Sequence, residues 1–327
     1  MNAIVNTAPG QLEWQDLPIP EPGPGQVRIR TAACAICATD LQMIAGWSRT
    51  GFPSIPGHEW CGVIDATGAS VDPALVGRRC VAENVLADGR EVGFEHPGGY
   101  AECFVTESAN LYLIPGDFAP ARGALIEPLA VCVRGLRRAR FDPAERSLVF
   151  GDGPIGMLTA MLLMQAGCQD IALVGGRPRR LAIAAGMGNV QTLNYHEAGE
   201  RLDAAIASRL GRDFPNVIEA SGSAAALEAG IALAAREGTM LVLGDYGAAA
   251  ARFAWNTLLH RELRLVGSNA SAGAWAEAVR LAVEGRLPLE RLLSHRVPAE
   301  HFAGAVQRAR QDRDAIKVVM EWPGAGG

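Results

Sequence analysis

At 327 residues the chain is longer than one ordinary hydrophobic core organises, so two domains are expected. Hydrophobic residues make up 49% and charged residues 20%, which excludes a disordered or fibrous chain. A formal net charge of −5 with no long Lys/Arg block excludes the basic footprint of a nucleic-acid binder, so the expected partner is a small molecule.

The N-terminal stretch MNAIVNTAPGQLEW has neither the basic nor the apolar region of a signal peptide. The most apolar run, 157–166, is too short to span a membrane. A cytoplasmic protein without a membrane partner is therefore expected, and its seven scattered cysteines read as reduced thiols.

Pro and Gly punctuate the first third, as in LPIPEPGPGQVRIRTAACAICATD and FPSIPGHEWCGVIDATGASV. Short β-rich runs at 26–32 and 60–67 alternate with these turns, predicting a twisted, partly barrel-like β region. The character changes after Glu127. An apolar strand at 147–150 runs into a glycine loop and a long apolar helix over 154–166. Further strands are predicted at 171–174, 217–219, 240–243 and 263–266, between Ala-rich helices. That alternation predicts an α/β fold with a parallel, doubly wound sheet. The tail reads as helix, loop, helix and closing strand. The expected division is 1–126 with 270–327 for the β-rich catalytic part and 127–269 for the dinucleotide-binding part.

GDGPIG lies between a predicted strand and helix, with Gly151, Gly153, Pro154, Ile155 and Gly156 as cofactor-binding candidates. Glycines let backbone approach a pyrophosphate, and the helix N-terminus offers free N–H groups and positive dipole. Proline fits the first helical turn, where its missing N–H costs nothing. NAD binders place an acid at the end of the second strand to hold the ribose 2′-hydroxyl. That strand here ends IALVGGRPRR, so Gly175 stands at the acid position, followed by Gly176, Arg177, Arg179 and Arg180. Losing the carboxylate and gaining guanidinium groups favours NADP over NAD.

CAICATD supplies Cys34 and Cys37, and PGHEW supplies His58 and Glu59. Cys, His and carboxylate are ligands zinc prefers, and a catalytic site keeps one position open. Cys34 reads as a packing residue. Glu127, in IEPLA, lies at the handover between the two parts, so a cleft there would gather Cys37, His58 and Glu127 beside the nicotinamide.

The ordered set CxxCATD, PGHE, GGYAE, EPLAV, GDGPIG, IEASGS and IKVV resembles the zinc-containing medium-chain dehydrogenases over about residues 21–319. Glu in EPLA is similar to the sorbitol, threonine and related polyol dehydrogenase branch. VGGRP, with LNY at 193–195, resembles NADP-binding secondary alcohol dehydrogenases, in which the matching Gly, Arg and Tyr surround the 2′-phosphate. The resemblance implies a Rossmann domain beside a β-rich, GroES-like catalytic domain. It implies hydride transfer between NAD(P) and a secondary alcohol or ketone of polyol, sugar or amino-alcohol type, with one catalytic zinc. Cys37 and His58 become implied zinc ligands, Glu59 or Glu127 the carboxylate ligand, and Thr39 the proton-relay hydroxyl. Gly175, Gly176, Arg177 and Tyr195 are implied around the phosphate, Lys317 near the cofactor, and a homodimer or homotetramer as the assembly. Two alternatives stay open: a zinc-independent quinone or enone reductase of the same fold, and a simple alcohol dehydrogenase or carbonyl reductase.

Three departures from the family pattern stand out. Between Arg79 and Gly98, where relatives carry a four-cysteine lobe, only Cys80 remains, so a second zinc is not expected. Gln42 replaces the usual His of the CxTDxH stretch and cannot titrate. Arg134 follows EPLAV where His is common. Trp47, Trp60 and His96 are candidates for pocket walls or, equally, for core and loop positions.

Overall fold

A computed structural model describes residues 1–199 and 201–324. These form two compact units: Met1–Glu127 with Trp275–Gly285 and the chain from Leu292 onward, and Pro128–Ala274 with Arg286–Arg291.

The first unit opens with an antiparallel hairpin of β1 (Asn2–Ala8) and β2 (Gln11–Asp16). It continues through β3 (Gln26–Ala35), α1 (Ala38–Ala45), β4 (Glu59–Thr67), β5 (Arg79–Ala82), β6 (Cys103–Glu107), β7 (Leu111–Leu113), α2 (Pro120–Gly123) and the start of α3 (Ile126–Ala139). In the second unit follow β8 (Ser147–Phe150), α4 (Pro154–Gln165), β9 (Ile171–Gly175), α5 (Pro178–Ala185), β10 (Val190–Asn194), α6 (Leu202–Arg209), β11 (Phe214–Glu219), α7 (Ala224–Leu233), β12 (Ala234–Val242), α8 (Trp255–Arg261) and β13 (Arg264–Gly267). The chain then returns to the first unit with α9 (Trp275–Val283), β14 (Leu293–Pro298), α10 (Phe302–Gln311) and β15 (Lys317–Glu321).

Sheet order in the second unit is β10-β9-β8-β11-β12-β13, all parallel. This is the doubly wound order 3-2-1-4-5-6, with the chain reversing direction across the sheet at β8 and β11. Every residue of β8 (SLVF) and β9 (IALVG) is buried, as continuous apolar runs require when helices cover both faces. The helix α4, buried from Gly156 to Leu163, fills one of those layers. The α/β class expected from the sequence is the one observed.

In the first unit the large sheet runs β14-β15-β3-β4-β5-β7, with β6 also paired to β3. Registers on the two sides of β3 decide the geometry that matters. Ala35 lies opposite Glu59 of β4 on one side and opposite Val319 of β15 on the other. The residues just beyond these ends, Cys37, His58 and Lys317, are thereby drawn to one sheet end although they are far apart in sequence.

The backbone at His58 is fixed by close packing. Gly93 has φ +83°, and a Cβ on it would lie 2.6 Å from the Gly57 carbonyl carbon and from the His58 nitrogen. The short segment that stands in place of the four-cysteine lobe thus closes directly on the peptide carrying the histidine. Gly89 has a similar φ of +78°, but a Cβ on it would meet nothing within 4 Å. Gly89→Ala should therefore cost only backbone strain, about 1 kcal/mol. Gly93→Ala should cost the same strain plus a clash with backbone, and so lower the urea midpoint well beyond the Gly89 variant. Equal midpoints for the two variants would contradict this packing account.

Candidate metal and nucleotide sites

Cys37 follows β3 and stands at the N-cap of α1, where its Sγ accepts from backbone while Asp40 Oδ2 accepts the Cys37 N–H at 2.8 Å. This places the sulfur at the N-terminal end of a helix. His58 immediately precedes β4 and Glu59 opens it. Donor atoms of Cys37, His58 and Glu59 all lie within 4.8 Å of one another. Soft sulfur, ring nitrogen and carboxylate oxygen gathered in this way can hold a zinc ion with a coordination position to spare.

Further polar side chains surround the histidine. His58 Nδ1 lies 3.0 Å from Asp40 Oδ1, an ion-pair distance that sets a carboxylate beside the ring. Asn84 Nδ2 donates to the His58 carbonyl at 2.8 Å, and Trp60 Nε1 donates to Asn84 Oδ1 at 3.1 Å. Trp60 is therefore a buried core residue that braces the site through Asn84. Thr39 sits in the first turn of α1, its Oγ1 3.7 Å from Cys37 Sγ. Cys34, fully buried in the core, packs as the sequence led us to expect, and burial pushes its thiol well above the usual range.

Glu59 is 1% exposed and its Oε1 accepts from Lys317 Nζ at 2.5 Å, while its Oε2 is buried without a hydrogen-bond partner. An unpartnered buried carboxylate oxygen within reach of a thiol and an imidazole fits a cation better than it fits an empty core. Lys317, expected near the cofactor, is 3% exposed, and its ammonium is taken up by Glu59 and the Ile36 carbonyl. Burial opposes the charged ammonium, yet Glu59, Cys37 and Glu127 outweigh it and hold Lys317 above its ordinary value. Burial likewise pulls the His58 imidazole down, but Asp40 and Cys37 more than offset this and raise it well above the usual histidine value. Glu127, at the first turn of α3, faces the same charges without joining the close trio. Burial pushes its carboxyl up to about 7, moderated by His58 and raised further by Glu59.

In the second unit the glycine loop is built as predicted. Gly153 is extended and N-caps α4, Pro154 takes the first helical position, and Ile155 follows it. A Cβ on Gly156 would lie 2.0 Å from the Gly151 carbonyl oxygen, so the helix can start this close to the loop only because residue 156 is glycine. At the end of β9, Gly175 leaves no acid, and a Cβ there would meet the Asp152 side chain at 2.5 Å. A Cβ on Gly176 would meet the Tyr195 ring at 2.4 Å, which places that half-exposed ring across the turn. Arg177 Nη1 donates to Asp152 Oδ1 at 3.1 Å. Among the other candidates, Trp47 meets Phe94 edge-on, His96 pairs with Asp88 at 2.9 Å, and Arg134 lines a cavity with four further arginines.

Comparison with known proteins gives this architecture a family. The alcohol dehydrogenase GroES-like domain matches residues 23–116, and the zinc-binding dehydrogenase domain matches residues 154–284. D-altritol 5-dehydrogenase of Agrobacterium fabrum is 30% identical over 97% of this chain and 98% of its own. The chain belongs to the zinc-type medium-chain dehydrogenase/reductase family. Its branch is that of the polyol and threonine dehydrogenases: L-threonine 3-dehydrogenase of a Chelativorans species is 29% identical over 98% of this chain and 99% of its own. A zinc-binding dehydrogenase of Sinorhizobium meliloti 1021, solved with NADP bound, aligns with a TM-score of 0.91 at 26% identity, covering 98% of both chains. This member is an NAD(P)-linked alcohol dehydrogenase acting on a small molecule.

Asp40, Asn84 and Asp152 are site residues that reading the sequence passed over. Only Asp40 carried a signal, the three-residue capping-box spacing after Cys37. A test of the buried pair follows from its geometry. With metal chelated, Lys317→Met should destabilise the protein by about 3–5 kcal/mol, because Glu59 is left buried and uncompensated. Adding Glu59→Gln should restore part of that loss in urea unfolding. Purely additive losses would mean the two groups do not interact.

Proposed function

We propose that this dehydrogenase is zinc-dependent, prefers NADP(H) to NAD(H), and interconverts a secondary alcohol and a ketone, its substrate a polyol, sugar or amino alcohol. The observation carrying the reading is the trio of half-buried Cys37 with buried His58 and Glu59, donor atoms within 4.8 Å of one another. Glu59 is the carboxylate ligand, supported by its unpartnered Oε2; Glu127 stands beside the trio on the same cluster of charges. When bound, zinc supplies a Lewis acid that makes an alcohol proton easier to remove, and the nicotinamide supplies the hydride chemistry.

This chain's residues do the rest. Asp40 orients His58, Lys317 balances the charge of Glu59, and Thr39 Oγ1 takes the substrate hydroxyl proton from its place beside Cys37. Gln42, exposed on α1, cannot pass that proton to a titrating ring. The β-rich unit supplies these groups and the parallel-sheet unit the cofactor site. There Gly151, Gly153, Pro154, Ile155 and Gly156 form the pyrophosphate turn, and Gly175, Gly176, Arg177 and Tyr195 the ribose end. NADP preference is supported by the missing acid at Gly175 and by NADP in the Sinorhizobium relative. The substrate class is supported by the altritol and threonine dehydrogenase relatives. Seven free thiols suit a cytoplasmic setting, and the family resemblance points to a homodimer or homotetramer.

Purified protein should carry one zinc per chain. Glu59→Gln should weaken zinc binding by about tenfold or more, whereas Glu127→Gln should retain the metal. The affinity of metal-free protein for zinc should rise with pH, since the proton on His58 must leave and the one on Glu127, near pH 7, opposes the cation. Competition with a chromophoric chelator at pH 6 and 8 reads both effects. Loss of metal on Glu127→Gln with retention on Glu59→Gln would exchange the roles of the two carboxylates.

A further inference from the structure

Asp152, the second residue of the glycine loop GDGPIG, has no part in the phosphate-cradling role read from that motif. The residue is 4% exposed, and its side chain reaches away from the loop toward the end of β9. There Oδ2 accepts the backbone N–H groups of Gly176 at 2.9 Å and Arg177 at 2.8 Å. Oδ1 accepts from Arg177 Nη1 at 3.1 Å and lies 3.9 Å from Arg180 Nη1. The missing Cβ of Gly175 makes room for it: a side chain there would begin 2.5 Å from Asp152 Cβ and 2.7 Å from Oδ2.

The position that an acid would occupy in an NAD binder is thus glycine, yet a carboxylate still stands beside it, delivered from the neighbouring loop. Two opposite charges meet at the ribose end of the site. Arg177 would attract a 2′-phosphate, and Asp152 both engages that guanidinium and repels the phosphate.

We propose that Asp152 is a specificity-determining residue of the nucleotide site. It is a fixed counter-charge that holds Arg177 and opposes the 2′-phosphate, so the Asp152–Arg177 pair, and not Arg177 alone, sets the discrimination between NADP and NAD. This rests on reading the 175–177 turn as the ribose end of the cofactor site. Asp152 is a positioning residue here: it acts through the turn and the arginine, and through its charge. Replacing it by asparagine keeps an oxygen to accept the two backbone N–H groups while removing the charge, so the variant isolates the electrostatic part.

The test measures binding of adenosine 2′,5′-bisphosphate and 5′-AMP to the full-length protein by calorimetry, and takes the ratio of the two affinities. Asp152→Asn should raise that ratio in favour of the bisphosphate by about tenfold. Asp152→Ser should move it in the same direction and serves if the asparagine variant does not fold. Arg177→Ala should lower the ratio, and in that background Asp152→Asn should have a smaller effect than in the native protein. A purely structural role for Asp152 would weaken both ligands together and leave the ratio alone, which overturns the proposal. A native preference for the bisphosphate that Asp152→Asn leaves unmoved likewise overturns it while supporting the NADP reading. A native preference for 5′-AMP that Asp152→Asn still shifts tenfold contradicts the NADP reading and supports the role of Asp152.

Discussion

Inside the β-rich unit the carboxylate of Glu59 and the ammonium of Lys317 meet 2.5 Å apart, both almost wholly removed from water. Burying two charges costs several kcal/mol each, and an apolar pair of the same volume would often be as stable or more so. Stability alone therefore does not account for the pair. Its surroundings do: Cys37, His58, Asp40 and Glu127 crowd the same strand ends, and three carboxyls beside a sulfur need positive charge nearby. Lys317 supplies a fixed part of it, Asp40 and Cys37 raise the His58 imidazole well above its usual value, and a divalent cation would answer the rest.

The sheet makes this concentration possible. The strand β3 is flanked by β4 and β15, and their registers bring three chain ends to one place. Around them the backbone is packed too tightly for side chains, with Gly93 closing on the Gly57–His58 peptide. The second unit repeats the device: Gly156 lies against Gly151, Gly175 makes room for Asp152, and Gly176 lies under Tyr195. In both units glycine brings functional groups closer than any substituted backbone allows.

Much of this was legible in the sequence because it is local. The strand at 147–150 and the helix that follows it appear where apolar periodicity put them, and so does the glycine loop between them. Several strands were not legible, and three of them show why. β10 (VQTLN) mixes exposed and buried residues at a sheet edge, and the hairpin partner β2 (QLEWQD) is largely exposed, so neither shows a core pattern. β14 (LSHRVP) lies within the tail between its two helices, where a loop is expected, and its polar composition hides its pairing with β15. The candidate ligands were legible as types, since Cys, His and carboxylate side chains in CAICATD and PGHEW are ones zinc prefers. Their arrangement was not: Lys317 is 258 residues from Glu59, Asn84 is 26 from His58 and Asp152 is 25 from Arg177. Such contacts depend on register and topology, which no local spacing encodes. The Lys317–Glu59 contact is one that the motif resemblance did not indicate.

The claim that one sulfur, one imidazole and one carboxylate hold a catalytic zinc is tested most directly by X-ray absorption at the zinc edge of the purified protein. The account predicts one zinc per chain with a single sulfur neighbour at about 2.3 Å and the remaining nitrogen and oxygen neighbours at about 2.0–2.2 Å. A shell of two or more sulfurs, a shell with none, or active protein without zinc would contradict it.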